Sequence, residues 1–286
     1  MRGQSKAESR NGSNKERHKM KTMKQLLLVA VAGVALTLTT ARAAVYNINN
    51  GNSSAVIDTT YGMYNWLVDG DSILYRQWFW YRIGDTAPNE SISTLTLDTS
   101  RSGVSPSGRV AEVVFMGNGF EIDVLYTITG GSPGSGTADI AETIRIQNIN
   151  GRTLNFRFFQ YSDFDLSPNL ADWGALVNAN TVAISGSQGY LTETVATPAP
   201  SRWEIDNWYT LVNQIEGGAY NLSNNVDQNN DDIAWAFQWD VSIAPGQTFI
   251  ISKDKNFRRV PDAGATVAML GLAMAGLAMM RRRFVR

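Results

Sequence analysis

Cysteine is absent from the 286 residues, and histidine occurs once, at position 18. The missing thiols exclude disulfides, thiolate nucleophiles and cysteine-ligated metals. Because His18 lies in a basic leader, the rest of the chain has no imidazole to act as a general base or to bind a metal. These absences exclude several common catalytic classes before any motif is considered.

The formal net charge is only -1, but the charged residues are unevenly distributed along the chain. Residues 1–43 hold 9 Lys and Arg against 2 acids, residues 44–259 hold 12 against 23, and residues 260–286 hold 4 against 1. Basic ends around an acidic middle are typical of a chain whose termini meet a membrane while its middle lies in water. The acidic middle has no basic patch and no glycine-rich phosphate loop, so we expect no nucleic-acid partner.

The N-terminal segment has the pattern of an export signal. Lysines precede thirteen largely apolar residues, 26–38, after which Ala41 and Ala43 form an A-x-A site. A charged start, a short apolar stretch and such a site define a secretory signal peptide. We therefore predict that residues 1–43 are a signal peptide with a basic leader, cleaved before Ala44, and that the secretion translocase and signal peptidase are partners. An uncleaved anchor is the alternative, although the apolar stretch is shorter than the roughly 20 residues of a membrane span.

The last 27 residues contain a second processing signal with three parts. They are a motif (Val260, Pro261, Asp262, Ala263, Gly264), an uncharged stretch (265–280) and a basic cluster (281–286, with Arg281, Arg282 and Arg283). A sixteen-residue helix rises about 24 Å, slightly less than the roughly 30 Å hydrocarbon core of a bilayer. Basic residues remain on the cytoplasmic side. We therefore predict a transmembrane helix over 265–280 that tethers an exported domain. A buried core helix would need a polar face, which this stretch lacks.

This tail resembles the PEP-CTERM sorting domain of Gram-negative bacteria, in its Val-Pro-Asp-x-Gly variant. The resemblance implies cleavage near the motif by exosortase, a membrane-embedded transpeptidase-like protease. It also implies export across the inner membrane, transient anchoring by the C-terminal helix, and a final place on the cell surface or outside the cell. Such substrates belong to bacteria that make exopolysaccharide and biofilm matrix. Pro261 disfavours helix at Val260, so we expect an extended, accessible motif.

Residues 44–259 are predicted to form one antiparallel β-sandwich domain in an all-β fold, because period-2 alternation recurs along them. In residues 120–128, for example, every second side chain is large and apolar. An Asn-Gly pair within 148–152 predicts a hairpin between strands at 142–146 and 154–158. Further strands are predicted at 175–184, 190–195, 233–243 and 248–253, and a helical pattern only at 202–214.

The densest aromatic stretch is residues 73–81, with rings on both faces of a predicted strand. Rings on both faces fit a central strand that has core on one side and covering loops on the other. Exposed aromatic rows on sandwiches also stack on sugar rings, so Trp66, Trp78 and Trp80 are candidates for an exopolysaccharide-binding surface. Core packing is the favoured interpretation, because aromatic side chains dominate core energetics wherever they can be buried.

Two groups of acidic residues are candidate sites. Asp163 and Asp165 would project to the same side of a strand, about 7 Å apart, which suits the acid pair of a glycosidase. A solvated turn or a cation site is the favoured interpretation, because two adjacent acids at a strand end seldom catalyse and no sign of a raised pKa is visible in the sequence. Further along, Asp227, Asn229 and Asp231 offer oxygen ligands for calcium. The glycine and glutamate of an EF-hand loop are missing there, so a plain turn is favoured, and calcium is the one cofactor considered.

These patterns favour a non-catalytic exported surface or matrix protein, with the ligand of residues 44–259 left open. A carbohydrate-binding or exopolysaccharide-binding module is the alternative. A glycoside-processing enzyme is a weaker one, because no motif supports catalysis.

Overall fold

The computed structural model describes residues 43–170, 172–227 and 232–260. Over these residues the chain forms eighteen β-strands, one 3-10 turn (Ile92–Thr94) and one α-helix, α1 (Trp208–Glu216). The strands are β1 (Val45–Asn50), β2 (Ser53–Asp58), β3 (Gly62–Val68), β4 (Asp71–Ser72), β5 (Arg76–Ile83), β6 (Glu90–Ser91), β7 (Thr96–Leu97), β8 (Gly103–Val104), β9 (Val110–Met116), β10 (Phe120–Gly130), β11 (Thr137–Asn148), β12 (Leu154–Asp163), β13 (Trp173–Asn178), β14 (Thr181–Ser185), β15 (Gly189–Thr197), β16 (Arg202–Asn207), β17 (Ile233–Ile243) and β18 (Thr248–Arg259).

The predicted signal peptide and the predicted transmembrane helix over 265–280 lie outside the described residues. Within the described ranges, no helix is both long enough and apolar enough to cross a membrane.

The strands form two antiparallel sheets whose inner faces share one hydrophobic core. The first sheet runs β1-β2-β3-β5-β12-β17-β16, with β4 paired to β3 and β6 paired to β5. The second runs β13-β14-β15-β18-β11-β10-β9-β7, with β8 paired to β9. The predicted antiparallel β-sandwich is therefore confirmed.

Strand β10 shows how the alternation in the sequence builds this core. Phe120, Ile122 and Val124 point inward and are at most 2 % exposed, whereas Glu121 and Thr127 on the other face are half-buried. Burying an apolar side chain of this size stabilises the fold by roughly 1.5–3 kcal/mol. Repetition of the pattern on neighbouring strands gives the sandwich its interior.

The aromatic strand β5 lies in the middle of the first sheet and is buried on both faces. On the inner face Phe79 stacks on Phe158, with 5.4 Å between ring centroids. On the outer face Trp80 meets Tyr161 edge to face at 6.2 Å. Helix α1 packs on the outer side of the neighbouring strands β16 and β17 and buries its own apolar residues there. The structure thus supports the interpretation of residues 73–81 as a central strand.

The predicted hairpin at 148–152 is wrong. Strand β11 pairs with β10 and β18 in the second sheet, whereas β12 pairs with β5 and β17 in the first. The loop between β11 and β12 therefore crosses from one sheet to the other. The Asn148 side-chain amide donates hydrogen bonds to the backbone oxygens of Arg152 (2.9 Å) and Ile243 (2.7 Å), which fixes the crossing. A turn signal reverses the chain locally but does not choose the partner of the next strand.

Two other predicted segments are each divided into two elements in the structure. The single strand expected over 175–184 is two strands, β13 and β14, joined by a tight turn. The helical pattern over 202–214 begins as strand β16 and becomes α1 only at Trp208. There the side chain of Asn207 accepts hydrogen bonds from the N–H groups of Tyr209 and Thr210, as an N-cap does.

Candidate functional site

Four charged side chains lie between the two sheets without any exposed surface. They are Glu142 on β11, Glu193 on β15, and Lys253 and Lys255 on β18, and together they form the ion quartet. Lys253 Nζ lies 3.0 Å from Glu193 Oε1, and Lys255 Nζ lies 3.3 Å from the same oxygen. Both lysines also pair with Glu142. Two positive charges therefore balance two negative charges inside the sandwich.

Polar groups of the opposite sheet complete the partners of Glu193. Gln160 Nε2 (2.7 Å), Trp235 Nε1 (2.8 Å) and Ser162 Oγ (3.2 Å) donate hydrogen bonds to its carboxylate. Burial alone would raise the pKa of Glu193, but the ammonium groups of Lys253 and Lys255 and these donors outweigh burial and lower the pKa to about 2. A saturated, solvent-free carboxylate is suited to joining the two sheets rather than to transferring protons.

Sequence reasoning missed the ion quartet, although a signal for it exists. Ile251 and Phe257 on β18 are buried. Every second side chain of a strand points to the same face, so residues 253 and 255 must point inward with them. This alternation places Lys253 and Lys255 inside the sandwich.

Three aspartates meet where β12 ends, and we call them the acidic cluster. Asp163 is the last residue of β12, Asp165 follows two positions later, and Asp232 directly precedes β17. One carboxylate oxygen from each lies within 4.8 Å of the other two. Asp163 is 2 % exposed, while Asp165 and Asp232 are half-buried. The structure therefore brings the predicted pair Asp163 and Asp165 together and adds a third acid that is distant in sequence.

The surroundings of the acidic cluster disfavour the charged form of its carboxylates. Asp163 Oδ2 accepts a hydrogen bond from the Tyr161 hydroxyl (3.0 Å), but Asp163 Oδ1 is buried and has no partner among the described residues. Burial, and then the charges of Asp232 and Asp165, raise the pKa of Asp163. Burial together with neighbouring carboxylates raises the pKa of Asp232 to about 6. Among the ion pairs of the described chain, none involves a member of this cluster.

Aromatic side chains form a row beside the acidic cluster, and we call this row the aromatic platform. Its members are Tyr61, Tyr64, Tyr75, Trp208 and Tyr209. Ring centroids are 5.6 Å apart for Tyr61 and Tyr64, 6.2 Å for Tyr75 and Trp208, and 5.5 Å for Trp208 and Tyr209. Burial and then a hydrogen bond with Tyr75 raise the pKa of Tyr61 to about 12, so the Tyr61 phenol stays neutral.

The aromatic platform is open to solvent. Tyr61, Tyr75 and Tyr209 are 37 %, 48 % and 61 % exposed. Backbone hydrogen bonds connect the platform to the acidic cluster. The Tyr75 N–H donates to the backbone oxygen of Asp163 (3.1 Å), and the Trp208 N–H donates to the backbone oxygen of Asp232 (3.2 Å). The acidic cluster and the aromatic platform therefore lie side by side in one region of the domain.

The tryptophans singled out for sugar stacking lie elsewhere. Trp66, Trp78 and Trp80 are at most 1 % exposed, and two of them use their indole N–H groups internally, Trp66 toward Ser53 (2.8 Å) and Trp78 toward Ser91 (2.7 Å). None presents a ring face to solvent, and Trp66 and Trp78 pack edge to face on Phe164 and Phe115. The exposed rings of the same sequence region are tyrosines at the strand ends.

The remaining predicted residues lie partly outside the described chain. Asp227 is half-buried, and its N–H donates to the Ile205 oxygen (2.8 Å). The other calcium candidates, Asn229 and Asp231, are outside the described residues, as are Ala41, Pro261 to Gly264 and Arg281 to Arg283. Ala43 is exposed at the first described position.

Both predicted processing points border the folded domain. The Ala44 oxygen accepts the Thr59 N–H (3.0 Å), one residue before β1 begins. At the other end, Val260 is 53 % exposed and directly follows β18.

Comparison with known proteins identifies the tail. Residues 259–284 match the family described as the VPDSG-CTERM motif. The chain therefore carries a PEP-CTERM-like sorting tail, and the recognition made from the sequence is confirmed. Such a tail indicates an exported surface protein that is processed at its C-terminus. No curated protein sequence matches the chain.

Solved structures identify the fold of the domain. A putative aldose 1-epimerase from Escherichia coli K12 is similar with a TM-score of 0.53 and 10 % identity, over 77 % of this chain and 100 % of that chain. A galactose mutarotase-like protein from Lactobacillus casei ATCC 334 is similar with a TM-score of 0.50 and 8 % identity, over 75 % and 100 %. At these identities the likeness defines the fold, an aldose-epimerase-like β-sandwich.

Proposed function

We propose that the chain is a non-catalytic exported surface or matrix protein whose sandwich domain binds polysaccharide at the aromatic platform. The exposed row of Tyr61, Tyr75 and Tyr209 carries this proposal. Tyrosine combines an apolar ring with a hydroxyl, which is why it is favoured at surfaces that contact partly polar ligands. A sugar ring offers the same mixture, with apolar C–H faces and hydroxyl edges.

The fold supports a carbohydrate as the ligand class. The two similar structures are named for an aldose 1-epimerase and a galactose mutarotase. The net charge of -11 over residues 44–259 disfavours a polyanionic chain, because like charges repel over the whole surface. We therefore propose a neutral polysaccharide as the ligand.

The interior chemistry supports binding rather than catalysis. The domain contains no histidine, and the ion quartet is saturated and closed to solvent. In the predicted acid pair, Asp163 is 2 % exposed, which leaves little room for a sugar to reach its carboxylate. A general acid needs hydrogen-bond reach to its substrate.

For delivery, we propose that an exosortase-type enzyme cleaves close to Pro261 after export. The end of β18 is held in place, since the Arg259 N–H donates to the Gly136 oxygen (2.7 Å) and its guanidinium to the Val68 oxygen (3.2 Å). The tail thus leaves the domain from a fixed point, and cleavage there leaves the sandwich intact.

Affinity electrophoresis tests the ligand. The full chain, in mild detergent, is run through gels that contain a neutral glucan, a neutral galactan or exopolysaccharide from the producing bacterium. We expect retardation by at least one polymer, and loss of retardation in the Tyr75→Ala/Tyr209→Ala variant. Tyr190→Ala is the matched control, because Tyr190 is 43 % exposed but lies on β15 in the other sheet. Unretarded migration in every gel, or equal retardation of the double variant, would overturn the proposal.

A further inference from the structure

We infer that the acidic cluster of Asp163, Asp165 and Asp232 is a binding site for a calcium ion. The geometry fits a single ion. Calcium binds oxygen ligands at about 2.3–2.6 Å, so two ligands of one ion are at most about 5 Å apart. The three carboxylate oxygens lie within 4.8 Å of one another. This site does not depend on polysaccharide binding.

The buried oxygen of Asp163 is the second observation that points to a ligand. Asp163 is 2 % exposed, and its Oδ1 atom has no hydrogen-bond partner among the described residues. A buried carboxylate oxygen that lacks a partner is costly, and more so when the group is charged. A solvated acidic turn would leave that oxygen in water. Here it is buried, on a carboxylate that has one oxygen within 4.8 Å of Asp165 and Asp232.

The described part of the chain offers the cluster no ion pair, and Arg76, opposite Asp163 on β5, packs over the Tyr61 and Trp80 rings instead. None of the described Lys or Arg side chains forms an ion pair with the cluster. The three carboxylate oxygens are crowded within 4.8 Å of one another, an arrangement in which a bound cation would offset their repulsion.

The ligand chemistry favours calcium over other metals. All three groups offer oxygen, which hard cations prefer, and the domain has no histidine or cysteine for softer metals. Calcium accepts an irregular set of six to eight oxygens, whereas magnesium needs a near-ideal octahedron. Asp165 and Asp232 are half-buried, so solvent reaches the site and water can complete the coordination.

An ion at this position would join parts of the chain that are far apart in sequence. Asp163 ends β12 and Asp232 precedes β17, while their backbone oxygens accept the N–H groups of Tyr75 and Trp208. Occupation would therefore stabilise the start of α1 as well as the ends of two strands. Calcium sites of extracellular modules have dissociation constants of about 0.1–1 mM, which suits an exported protein.

Thermal unfolding and terbium luminescence test the site. The full chain is freed of metal with EGTA and titrated with calcium chloride. We expect a saturable rise in Tm with an apparent Kd of about 0.1–1 mM. Terbium, a calcium substitute, should show luminescence on excitation of tryptophan, because Trp208 is bonded to Asp232 through its backbone N–H.

Variants separate this site from nonspecific binding. Asp163→Asn and Asp232→Asn should each weaken calcium binding by more than about tenfold, since even residues that only support metal ligands cost tenfold or more. Asp139→Asn is the matched control, because Asp139 also crowds a second carboxylate, that of Asp254, but lies outside the cluster. It should keep the full calcium response. An unchanged Tm up to 10 mM calcium, an equal response to magnesium, or an unaltered response in both cluster variants would overturn the assignment.

Discussion

Lys253 and Glu193 face each other between the two sheets, with 3.0 Å between Nζ and Oε1 and no exposed surface on either side chain. Charges are rarely buried, because each loses the hydration that water provides. Here Glu142 and Lys255 complete a neutral set, and every member has an opposite charge beside it. The ion quartet is therefore stable only as a whole.

Removal of one lysine should be strongly destabilising. Lys253→Met leaves two buried carboxylates with one ammonium, and we expect a loss of about 3–5 kcal/mol in the free energy of unfolding, measured with urea. Glu121→Gln is the control, because it removes the ion pair with Arg101, which is 47 % exposed, and should cost at most about 1 kcal/mol. Equal losses in the two variants would contradict this description of the quartet.

The same pair predicts a specific response to acid. The pKa of Glu193 falls from its usual 4.5 to about 2 in the folded state. The stability that this shift supplies is fully present above pH 4.5 and is lost as the pH falls toward 2. Glu193→Gln should be less stable at pH 7, and its free energy of unfolding should decline less steeply between pH 4.5 and 2. Unfolding curves at a series of pH values measure this, and parallel pH profiles would refute it.

Because the carboxylates of Asp139 and Asp254 repel each other, we expect that replacing Asp139 stabilises the domain. Burial and the Asp254 carboxylate raise the pKa of Asp139 to about 6. Folded Asp139 thus holds its proton more firmly than unfolded Asp139, and stability decreases as the pH rises toward 6. Asp139→Asn should gain about 1 kcal/mol at pH 8, after solvent screening is allowed for, and less at pH 5.

Asp123→Asn is the matched control for this prediction. Asp123 accepts a hydrogen bond from Arg145 at 2.9 Å, so its removal should not stabilise. A Tm of Asp139→Asn at pH 8 no higher than that of the unaltered chain would show that the two acids do not repel.

Gly62 should be required for the packing that supports the aromatic platform. Its φ is +124°, and a Cβ there would lie 2.3 Å from the Gln77 backbone oxygen. Gly70 also has a positive φ, +91°, but has open space around it. Gly70→Ala should cost roughly 1 kcal/mol from backbone strain, and Gly62→Ala at least about 1 kcal/mol more, because β3 must move away from β5. Equal Tm values would contradict the close approach.

Local patterns predicted the strands well, because alternation depends on neighbours two residues apart. Phe120 and Ile122 are inside for the reason the sequence suggests. The hairpin at 148–152 could not be judged in this way, since the partners of β11 and β12 come from distant parts of the chain. Pairing is a long-range property, and a turn signal contains only short-range information.

The candidate sites were only half visible in the sequence, for the same reason. Asp163 and Asp165 are neighbours and could be paired, but Asp232 joins them only after the two sheets are assembled. Exposure is likewise decided by distant segments. Trp80 is covered in the assembled domain, whereas Tyr75, five residues earlier, remains open. Residue type alone does not distinguish these two positions.

Delivery is the central step, because a surface that binds an external polysaccharide can act only on a protein that leaves the cell. Mass spectrometry of the exported protein, isolated from the surface of the producing bacterium, measures both ends of the chain at once. We expect a first residue of Ala44 and a last residue close to Pro261. An exported form that still ends at Arg286 would contradict processing of the sorting tail.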